Sequence, residues 1–351
     1  MLMSALAVGV MWWLQRPLLP SPSAGQDPSK VVLELVVPKG SSATSIGFLM
    51  RDAGLAVGET SFALTARLLG QHRQLQAGVY GLTPGISLQE LIGKMARGDA
   101  LQDSLTLVEG WRFSEILGAL HRHPGVVKTL PADAAQAERV LLAQLNLGTP
   151  GLEGWIFPDT YLFMRGSTDV EIVQRAVRLQ QAVLAQAWEA RSSHVALQSP
   201  YEALILASMI ERETQAEADR AFVSAVFHQR LREGMRLESD PTVIYGLGDR
   251  FDGDLRRADL RRPMPHNTYV IQGLPPTPIA SPGRAAIVAA LTPAVGRWRY
   301  FVAMGDGRSY FSYSLAQHNR AVQFYQLKKG SPPPLSDQGP VALAPPDTMR
   351  R

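Results

Sequence analysis

Two glutamates, Glu211 and Glu213, stand at the end of an apolar segment whose sequence from residue 199 is SPYEALILASMIERET. Ser199 followed by Glu202 is the pattern of a capping box, and Pro200 suits the first helical position. We therefore predict a helix that starts near Ser199 and carries both glutamates in its fourth turn. A carboxyl group among apolar residues keeps its proton to a higher pH, so this pair could supply general acid catalysis near neutral pH.

Helical geometry favours Glu213 as the acid. The positions three, four and seven residues before Glu213 hold large apolar side chains, whereas those before Glu211 are smaller and more polar; the two sets are Ile210, Met209 and Leu206, and Ser208, Ala207 and Leu204. Side chains two residues apart on a helix point about 200° away from each other, so the two glutamates cannot act as a facing acid and nucleophile. For Glu211 we favour a supporting role, such as an ion pair with a nearby arginine.

Two further segments, residues 235–248 (MRLESDPTVIYGLG) and 267–283 (NTYVIQGLPPTPIASPG), are predicted to be loop-rich and could surround a ligand. The first mixes charged, hydroxyl and aromatic side chains, which together can bind a sugar ring by stacking and directional hydrogen bonds. The second holds four prolines, which would form a rigid wall. Both could instead be purely structural. The candidate binding residues are Asp240, Thr242, Tyr245, Asn267 and Tyr269.

Two more acidic residues, Glu153 and Asp159, lie in an aromatic-rich segment, residues 151–163 (GLEGWIFPDTYLF), that we predict to be a loop. They could line a binding cleft, or they could tie loops to helix N-termini, where a carboxylate is stabilised by the helix dipole. The sequence favours neither interpretation.

The composition excludes several classes of protein. The chain has 351 residues, 46% of them hydrophobic, and a net charge of +4 with no block of Lys and Arg, so we expect no nucleic-acid partner. It has no cysteine, which removes disulfides, thiolate catalysis and Cys-ligated zinc. The seven histidines are dispersed without metal-ligand spacing. We therefore expect neither a metal site nor a cofactor.

The chain is predicted to be α+β, with two folded units and accessory segments. Residues 1–16 are predicted to be a short membrane anchor, because residues 1–14 are nearly all apolar and include Trp12 and Trp13. The run is shorter than a typical span and has no basic start, so an unstructured apolar beginning is the alternative. Residues 17–30 are predicted to be a linker, 31–104 a small unit, 105–327 a larger unit and 328–351 a disordered, Pro-rich tail.

The patterning predicts the elements that position the candidate residues. We predict strands over residues 31–37, 76–82, 105–111, 300–304 and 310–313, and helices over residues 41–55, 60–69, 88–97, 113–120, 121–147, 168–190, 199–213, 220–233, 284–290 and 318–327. The turn Gly305-Asp306-Gly307 should join the last two strands.

Three motifs, ASMIERET at residue 207 together with residues 235–248 and 267–283, resemble the YceG-like family, the endolytic murein transglycosylases that cut bacterial glycan strands. The resemblance runs from about residue 31 to residue 327. The chain departs from the family pattern at His266, where a tyrosine is usual, and at Glu238, where glutamine is common.

The resemblance implies lytic cleavage of the β-1,4 bond between N-acetylmuramic acid and N-acetylglucosamine. Glu213 would act first as acid and then as base, closing a 1,6-anhydro ring. The resemblance also implies a LysM-like small unit, a single-pass anchor in the bacterial inner membrane with the catalytic unit on the periplasmic side, a role in ending glycan strands, and peptidoglycan synthases as partners.

Two other functions stay open. A hydrolytic muramidase would need a second carboxylate, for which Asp240 is the best candidate, and would leave reducing ends. A non-catalytic peptidoglycan-binding scaffold would keep the small unit and would tolerate the loss of Glu213.

Overall fold

The computed structural model describes residues 14–21, 27, 29–331 and 333, which form two compact units. The first unit takes in the described residues up to Leu105, with His123–Thr129 and Tyr161–Asp169. The second takes in Thr106–Arg122, Leu130–Thr160 and the described residues from Val170 onward. Each unit combines helices with small antiparallel sheets, so the predicted α+β class is confirmed.

The first unit is built around a strand–helix–helix–strand motif followed by a third helix. Its elements are β1 (Leu33–Val37), α1 (Ala43–Asp52), α2 (Glu59–Leu68), β2 (Gly78–Leu82) and α3 (Leu88–Arg97). It also holds β3 (Gln102–Thr106) and β4 (Thr160–Met164), except for Thr106 and Thr160, which belong to the second unit. β1 pairs antiparallel with β2, and β3 with β4. The helices and the β1–β2 sheet enclose an apolar core that includes Phe62, Tyr80, Leu91 and Met95.

A capping box starts helix α3. The Ser87 hydroxyl accepts a hydrogen bond from the Glu90 amide at 3.2 Å, and the Glu90 carboxylate accepts one from the Ser87 amide at 2.9 Å. Gly98 ends the helix in the left-handed conformation, with a φ of 73°. Both ends of this helix are therefore determined by local sequence.

The second unit carries the remaining elements, most of them helical, apart from Asp169, which belongs to the first unit. In chain order they are α4 (Phe113–Arg122), α5 (Ala134–Leu145), α6 (Asp169–Glu189), α7 (Pro200–Glu213), α8 (Glu217–Arg232), α9 (Asp240–Leu247), a 3₁₀ turn (Gly248–Arg250), α10 (Arg257–Leu260), α11 (Arg284–Leu291), β5 (Tyr300–Ala303), β6 (Ser309–Ser312) and α12 (Leu315–Tyr325). β5 and β6 form the predicted hairpin.

Helix α7 is the central helix of the second unit. Ser199 caps its start by accepting a hydrogen bond from the Glu202 amide at 3.2 Å, and Pro200 occupies the first turn. Every residue from Ala203 to Ile210 is buried, because α8, α9 and α11 pack around this helix. Thr214 adopts an extended conformation, so Glu213 is the last residue of α7.

Three segments differ from the sequence-based prediction. Residues 240–247 form helix α9 rather than a loop, because Pro241 lies in the first turn, where its missing N–H costs nothing, and Gly248 ends the helix. Residues 160–164 form strand β4, whose alternation of exposed and buried residues is hidden in the sequence by the surrounding aromatics. The strand predicted over residues 105–111 lies earlier, as β3.

No helix of the described part of the chain is long and apolar enough to cross a membrane. Of the predicted anchor, residues 1–13 lie outside the described residues, as do residues 22–26 and 28 of the predicted linker and most of the predicted tail.

Candidate active site

Glu213 projects from the C-terminal end of α7 towards the segment that leads into α9. Its Oε2 accepts a hydrogen bond from the Ser239 hydroxyl at 2.8 Å. The side chain is half-buried, and the protein atoms packed around the carboxyl group displace water from it. This desolvation raises the pKa of Glu213 from 4.5 to about 7; the negative charge of Asp240 also raises the pKa, whereas Ser239 and Arg230 lower it. A substantial fraction of Glu213 therefore keeps its proton near neutral pH, where a glutamate with the usual pKa would be fully ionised.

Ser239, which contacts Glu213, belongs to a cluster of three buried hydroxyl-bearing residues. Ser239, Thr242 and Thr268 are each at most 1% exposed. The Ser239 amide donates to Thr268 Oγ1 at 2.9 Å, the Thr242 hydroxyl donates to the Ser239 carbonyl at 2.7 Å, and the two threonine hydroxyls are 2.8 Å apart. These contacts join the start of α9 to the segment that holds Thr268.

Asp240 and Tyr269 form an accessible pair beside Glu213. The Tyr269 hydroxyl donates a hydrogen bond to Asp240 Oδ1 at 2.6 Å. Burial and the nearby carboxylates of Asp240 and Glu213 raise the pKa of Tyr269, which keeps its proton. Asp240 is exposed and Tyr269 half-buried, so both offer polar atoms to a ligand next to the acid.

Glu211 has a different set of partners from Glu213, as the helical geometry predicted. Its Oε1 lies 3.1 Å from Arg220 Nη2, and its Oε2 accepts a hydrogen bond from the Gly283 amide at 2.9 Å. Gly283 precedes the first residue of α11, so the carboxylate also lies at a helix N-terminus. The arginine pair expected for Glu211 is therefore present, and Glu211 ties α7 to α8 and α11.

The proline-rich segment is fixed to its surroundings by short contacts. The Ile279 amide donates to the Ser208 hydroxyl of α7 at 3.0 Å, and the Ser281 amide donates to the Trp111 carbonyl at 2.8 Å. Gly154 has a φ of +79°, and a Cβ there would lie 2.6 Å from the Cβ of Pro278. The segment is therefore a fixed wall of the second unit.

Tyr245 and Glu153 belong to a second polar cluster. The Tyr245 hydroxyl donates to Glu153 Oε2 at 3.3 Å, and Glu153 Oε1 accepts from the amide of Phe113, the first residue of α4, at 3.0 Å. The Arg112 guanidinium lies 5.2 Å from the centre of the Tyr245 ring, and the His266 ring lies 4.8 Å from it. Desolvation raises the pKa of Glu153 to about 7. Glu153 thus ties its loop to a helix N-terminus, one of the two roles left open by the sequence.

Asn267 and Thr242 are placed as supports rather than as ligand contacts. Asn267 is fully buried, and its amide group donates to the carbonyls of Asp259, Leu260 and Arg262 at 3.2, 3.1 and 2.8 Å. Thr242 is equally buried within the hydroxyl cluster. Since neither side chain has accessible surface, their expected role as direct binding residues is revised. Asp159 is exposed, and its Oδ1 accepts a hydrogen bond from the Thr160 amide at 2.7 Å.

The sequence model of the YceG-like family matches residues 35–324. The chain belongs to the YceG-like family.

Individual relatives agree with this assignment. An endolytic murein transglycosylase of Bacillus subtilis is 31% identical over 318 residues, which cover 86% of this chain and 87% of that protein. One of Streptococcus pneumoniae is 26% identical over 84% of this chain but only 58% of its own length. The crystal structure of a YceG-like protein of Listeria monocytogenes superposes with a TM-score of 0.52 at 26% identity, covering 82% of this chain and 98% of that one.

Three site residues of this YceG-like protein were missed from the sequence: Ser239, Thr268 and Arg230. Arg230 is buried and donates to the carbonyls of Arg236 and Leu237 and to the Glu238 carboxylate at 3.2, 2.9 and 3.2 Å. Serine and threonine are common in turns, so their types alone gave no signal. The adjacent positions Ser239-Asp240 and Asn267-Thr268-Tyr269 in the family motifs were the available clue.

Within the described residues, no group of three or more His, Cys, Asp or Glu side chains could hold a metal ion. The chemistry that the site can perform with its own residues is proton transfer by Glu213, with Asp240 and Tyr269 beside it.

Proposed function

We propose that this protein is an endolytic murein transglycosylase that cleaves the β-1,4 bond between N-acetylmuramic acid and N-acetylglucosamine within glycan strands. The main support for this proposal is that Glu213, a half-buried carboxyl group at the end of α7, has its pKa raised to about 7. The names of the B. subtilis and S. pneumoniae relatives support the same activity.

The reaction needs one group that gives and then regains a proton. The protonated Glu213 donates its proton to the glycosidic oxygen, the bond from that oxygen to C1 of the muramic acid breaks, and the N-acetylglucosamine leaves as an alcohol. Positive charge develops at C1. The Glu213 carboxylate then takes the proton of the muramic acid C6 hydroxyl while the oxygen of that hydroxyl bonds to C1. The 1,6-anhydro ring closes, and Glu213 is protonated again without any water molecule entering the reaction.

The accessible polar side chains around Glu213 are the proposed glycan contacts. Asp240 and Tyr269 lie beside the acid, and Tyr245 presents a half-buried aromatic ring in the second polar cluster. Asp159 is exposed and stays a candidate contact. Asn267, Thr242 and Glu153 act behind these contacts by fixing the loops.

The first unit is proposed to be a LysM-like glycan-binding subdomain. Its order of strand, two helices and strand, with β1 and β2 paired antiparallel, supports this assignment. We further propose that residues 1–16 anchor the chain in the bacterial inner membrane and that the catalytic unit works on the periplasmic side. Peptidoglycan synthases are its proposed partners in ending glycan strands.

A hydrolytic muramidase is the second candidate, because Asp240 is an exposed carboxylate close enough to Glu213 to raise its pKa. In that reaction the second carboxylate would act as nucleophile or would activate a water molecule, and the new muramic acid end would be reducing. The hydrogen bond from Tyr269 occupies only Oδ1 of Asp240, so the ends of the products, reducing or anhydro, separate the two reactions.

The test is digestion of purified peptidoglycan by the full-length protein and by the Glu213→Gln variant, with mass spectrometry of the products. We expect new anhydro-muramic ends within long strands from the wild type and none from the variant. Reducing ends would support the muramidase. Binding without cleavage by both proteins would support a scaffold.

A further inference from the structure

Ser239, Thr242 and Thr268 form a closed ring of hydrogen bonds. Thr242 must donate its only hydroxyl hydrogen to the Ser239 carbonyl, because a carbonyl has none to give. The Thr268 hydroxyl therefore donates to Thr242 Oγ1, and it accepts from the Ser239 amide. The amide and the carbonyl of Ser239 are thus both used inside a buried ring whose members are all satisfied.

The hydroxyl of Ser239 is the one donor of this residue that lies outside the ring, and it points at Glu213. Its oxygen lies 2.8 Å from Glu213 Oε2, and this is the only hydrogen bond that Glu213 makes through its side chain to the described residues. The Ser239 hydroxyl is the donor: it donates to Oε2 when Glu213 is a carboxylate, and Oε2 can still accept when the proton of Glu213 is on Oε1. This hydrogen bond leaves Oε1 without a protein partner in the described part of the chain.

The residue that precedes Ser239, Glu238, has a strained backbone conformation that its neighbours hold in place. Glu238 has a φ of 49°, a left-handed conformation that non-glycine residues seldom adopt. Its amide donates to the Thr268 carbonyl at 3.2 Å, and Arg230 binds its carboxylate and the carbonyls just before it. The surroundings therefore fix the position of Ser239 more tightly than a surface loop would.

We propose that Ser239 is a positioning residue for Glu213: its hydroxyl binds Oε2, so that Oε1 is the oxygen that exchanges the proton with the glycan. The inference rests on the proposed function, because it gives separate roles to the two carboxyl oxygens of Glu213, the acid that this function requires. The acid must keep one orientation through both proton transfers, and a fixed donor supplies that orientation without movement during the reaction.

Other charged and titratable groups also face Glu213, and the test must distinguish their effects on its pKa from the effect of Ser239. Asp240 at the start of α9 raises the pKa of Glu213, and Arg230 on α8 lowers it. Tyr269 interacts with Glu213 but stays protonated. Ser239 is uncharged and acts on the pKa through its hydrogen bond, which lowers it.

The experiment compares the full-length protein with its Ser239→Ala variant on purified peptidoglycan over a range of pH. Loss of a hydrogen bond to a charged group should lower kcat by about 10- to 100-fold, with KM little changed because Ser239 does not touch the glycan. The pH above which activity falls should move upward, because the hydrogen bond that lowers the pKa of Glu213 is gone. A Ser239→Cys variant, which keeps a weak donor of similar size, should recover part of the rate.

The matched control is Ser224→Ala on α8, which removes a buried hydroxyl that has no hydrogen-bond partner in the described structure. This control should keep the wild-type kcat and pH profile. A Ser239→Ala variant with wild-type kcat, or with a lower kcat and an unmoved pH profile, would overturn the proposal; if that variant does not fold, Ser239→Cys is judged by the same two criteria. Failure of the proposed function would look different, because the wild type itself would then release no anhydro ends.

Discussion

Glu211 and Arg220 form an ion pair in which the carboxylate is 5% exposed and the guanidinium 12% exposed. Removing one partner of such a pair leaves the other charge buried and uncompensated. We predict that Glu211→Ala lowers the free energy of unfolding by about 3–5 kcal/mol, measured by urea denaturation. The α11 N-terminus would lose its carboxylate as well.

An exposed glutamate without a described partner provides the control for Glu211. Glu189 at the end of α6 is exposed, and Glu189→Ala should change the free energy of unfolding by less than about 0.5 kcal/mol. An equal, small effect of both substitutions would contradict a structural role for Glu211.

The raised pKa of Glu213 should make the protein less stable at high pH. Between about pH 4.5, where an unperturbed glutamate titrates, and about pH 7, the raised pKa of Glu213, the folded state binds more protons at this residue than the unfolded state does. Stability from this residue is therefore present below the lower value and is lost as the pH rises through the window. Glu213→Gln should stabilise the protein by roughly 2–3 kcal/mol at about pH 8 and by almost nothing at about pH 4. Thermal unfolding at both pH values measures this, and a gain that is independent of pH would contradict it.

Asp240 should act on the rate through its charge. Its carboxylate raises the pKa of Glu213, so Asp240→Asn should shift the fall in activity to lower pH, opposite to Ser239→Ala. The loss of the charged acceptor for Tyr269 should also reduce kcat/KM by about tenfold. The products should still be anhydro ends. Complete loss of cleavage in this variant would instead support a catalytic carboxylate at this position.

The proline-rich wall can be tested through Gly154. An alanine there meets both a left-handed backbone and a contact of 2.6 Å with Pro278, so we predict a loss of about 2–4 kcal/mol in stability together with lower activity. Gly148 has a similar φ of +66° with open space around it, so Gly148→Ala should show only the backbone cost of about 1 kcal/mol. Equal losses in the two variants would show that the contact with Pro278 does not matter.

The sequence predicted those parts of the structure that depend on local patterns. Ser199 and Pro200 predicted the start of α7, and the apolar residues before Glu213 predicted its raised pKa. The separation of two residues between Glu211 and Glu213 correctly implied different partners. These inferences need only helical geometry and the neighbours on one helix.

The remaining features depend on contacts between distant segments. The approach of Ser239 to Glu213 joins two residues that are 26 positions apart, and the Thr242–Thr268 contact spans the same separation. The sequence suggested that Asn267 is a ligand-binding amide, but its amide group donates to three carbonyls at the end of α10 and just after it. Nothing in the residue types distinguishes these two uses, because the same hydrogen-bonding groups serve loops and ligands.

In the proposed mechanism one carboxyl group, Glu213, both gives and takes the proton, and the muramic acid C6 hydroxyl is the nucleophile. The most direct measurement is digestion of purified peptidoglycan in water enriched in the heavy isotope of oxygen, followed by mass spectrometry of the new muramic acid ends. We predict anhydro ends that contain no heavy oxygen, and no new ends with Glu213→Gln. Heavy oxygen at C1 of the new ends would mean that water is the nucleophile, and it would contradict the account.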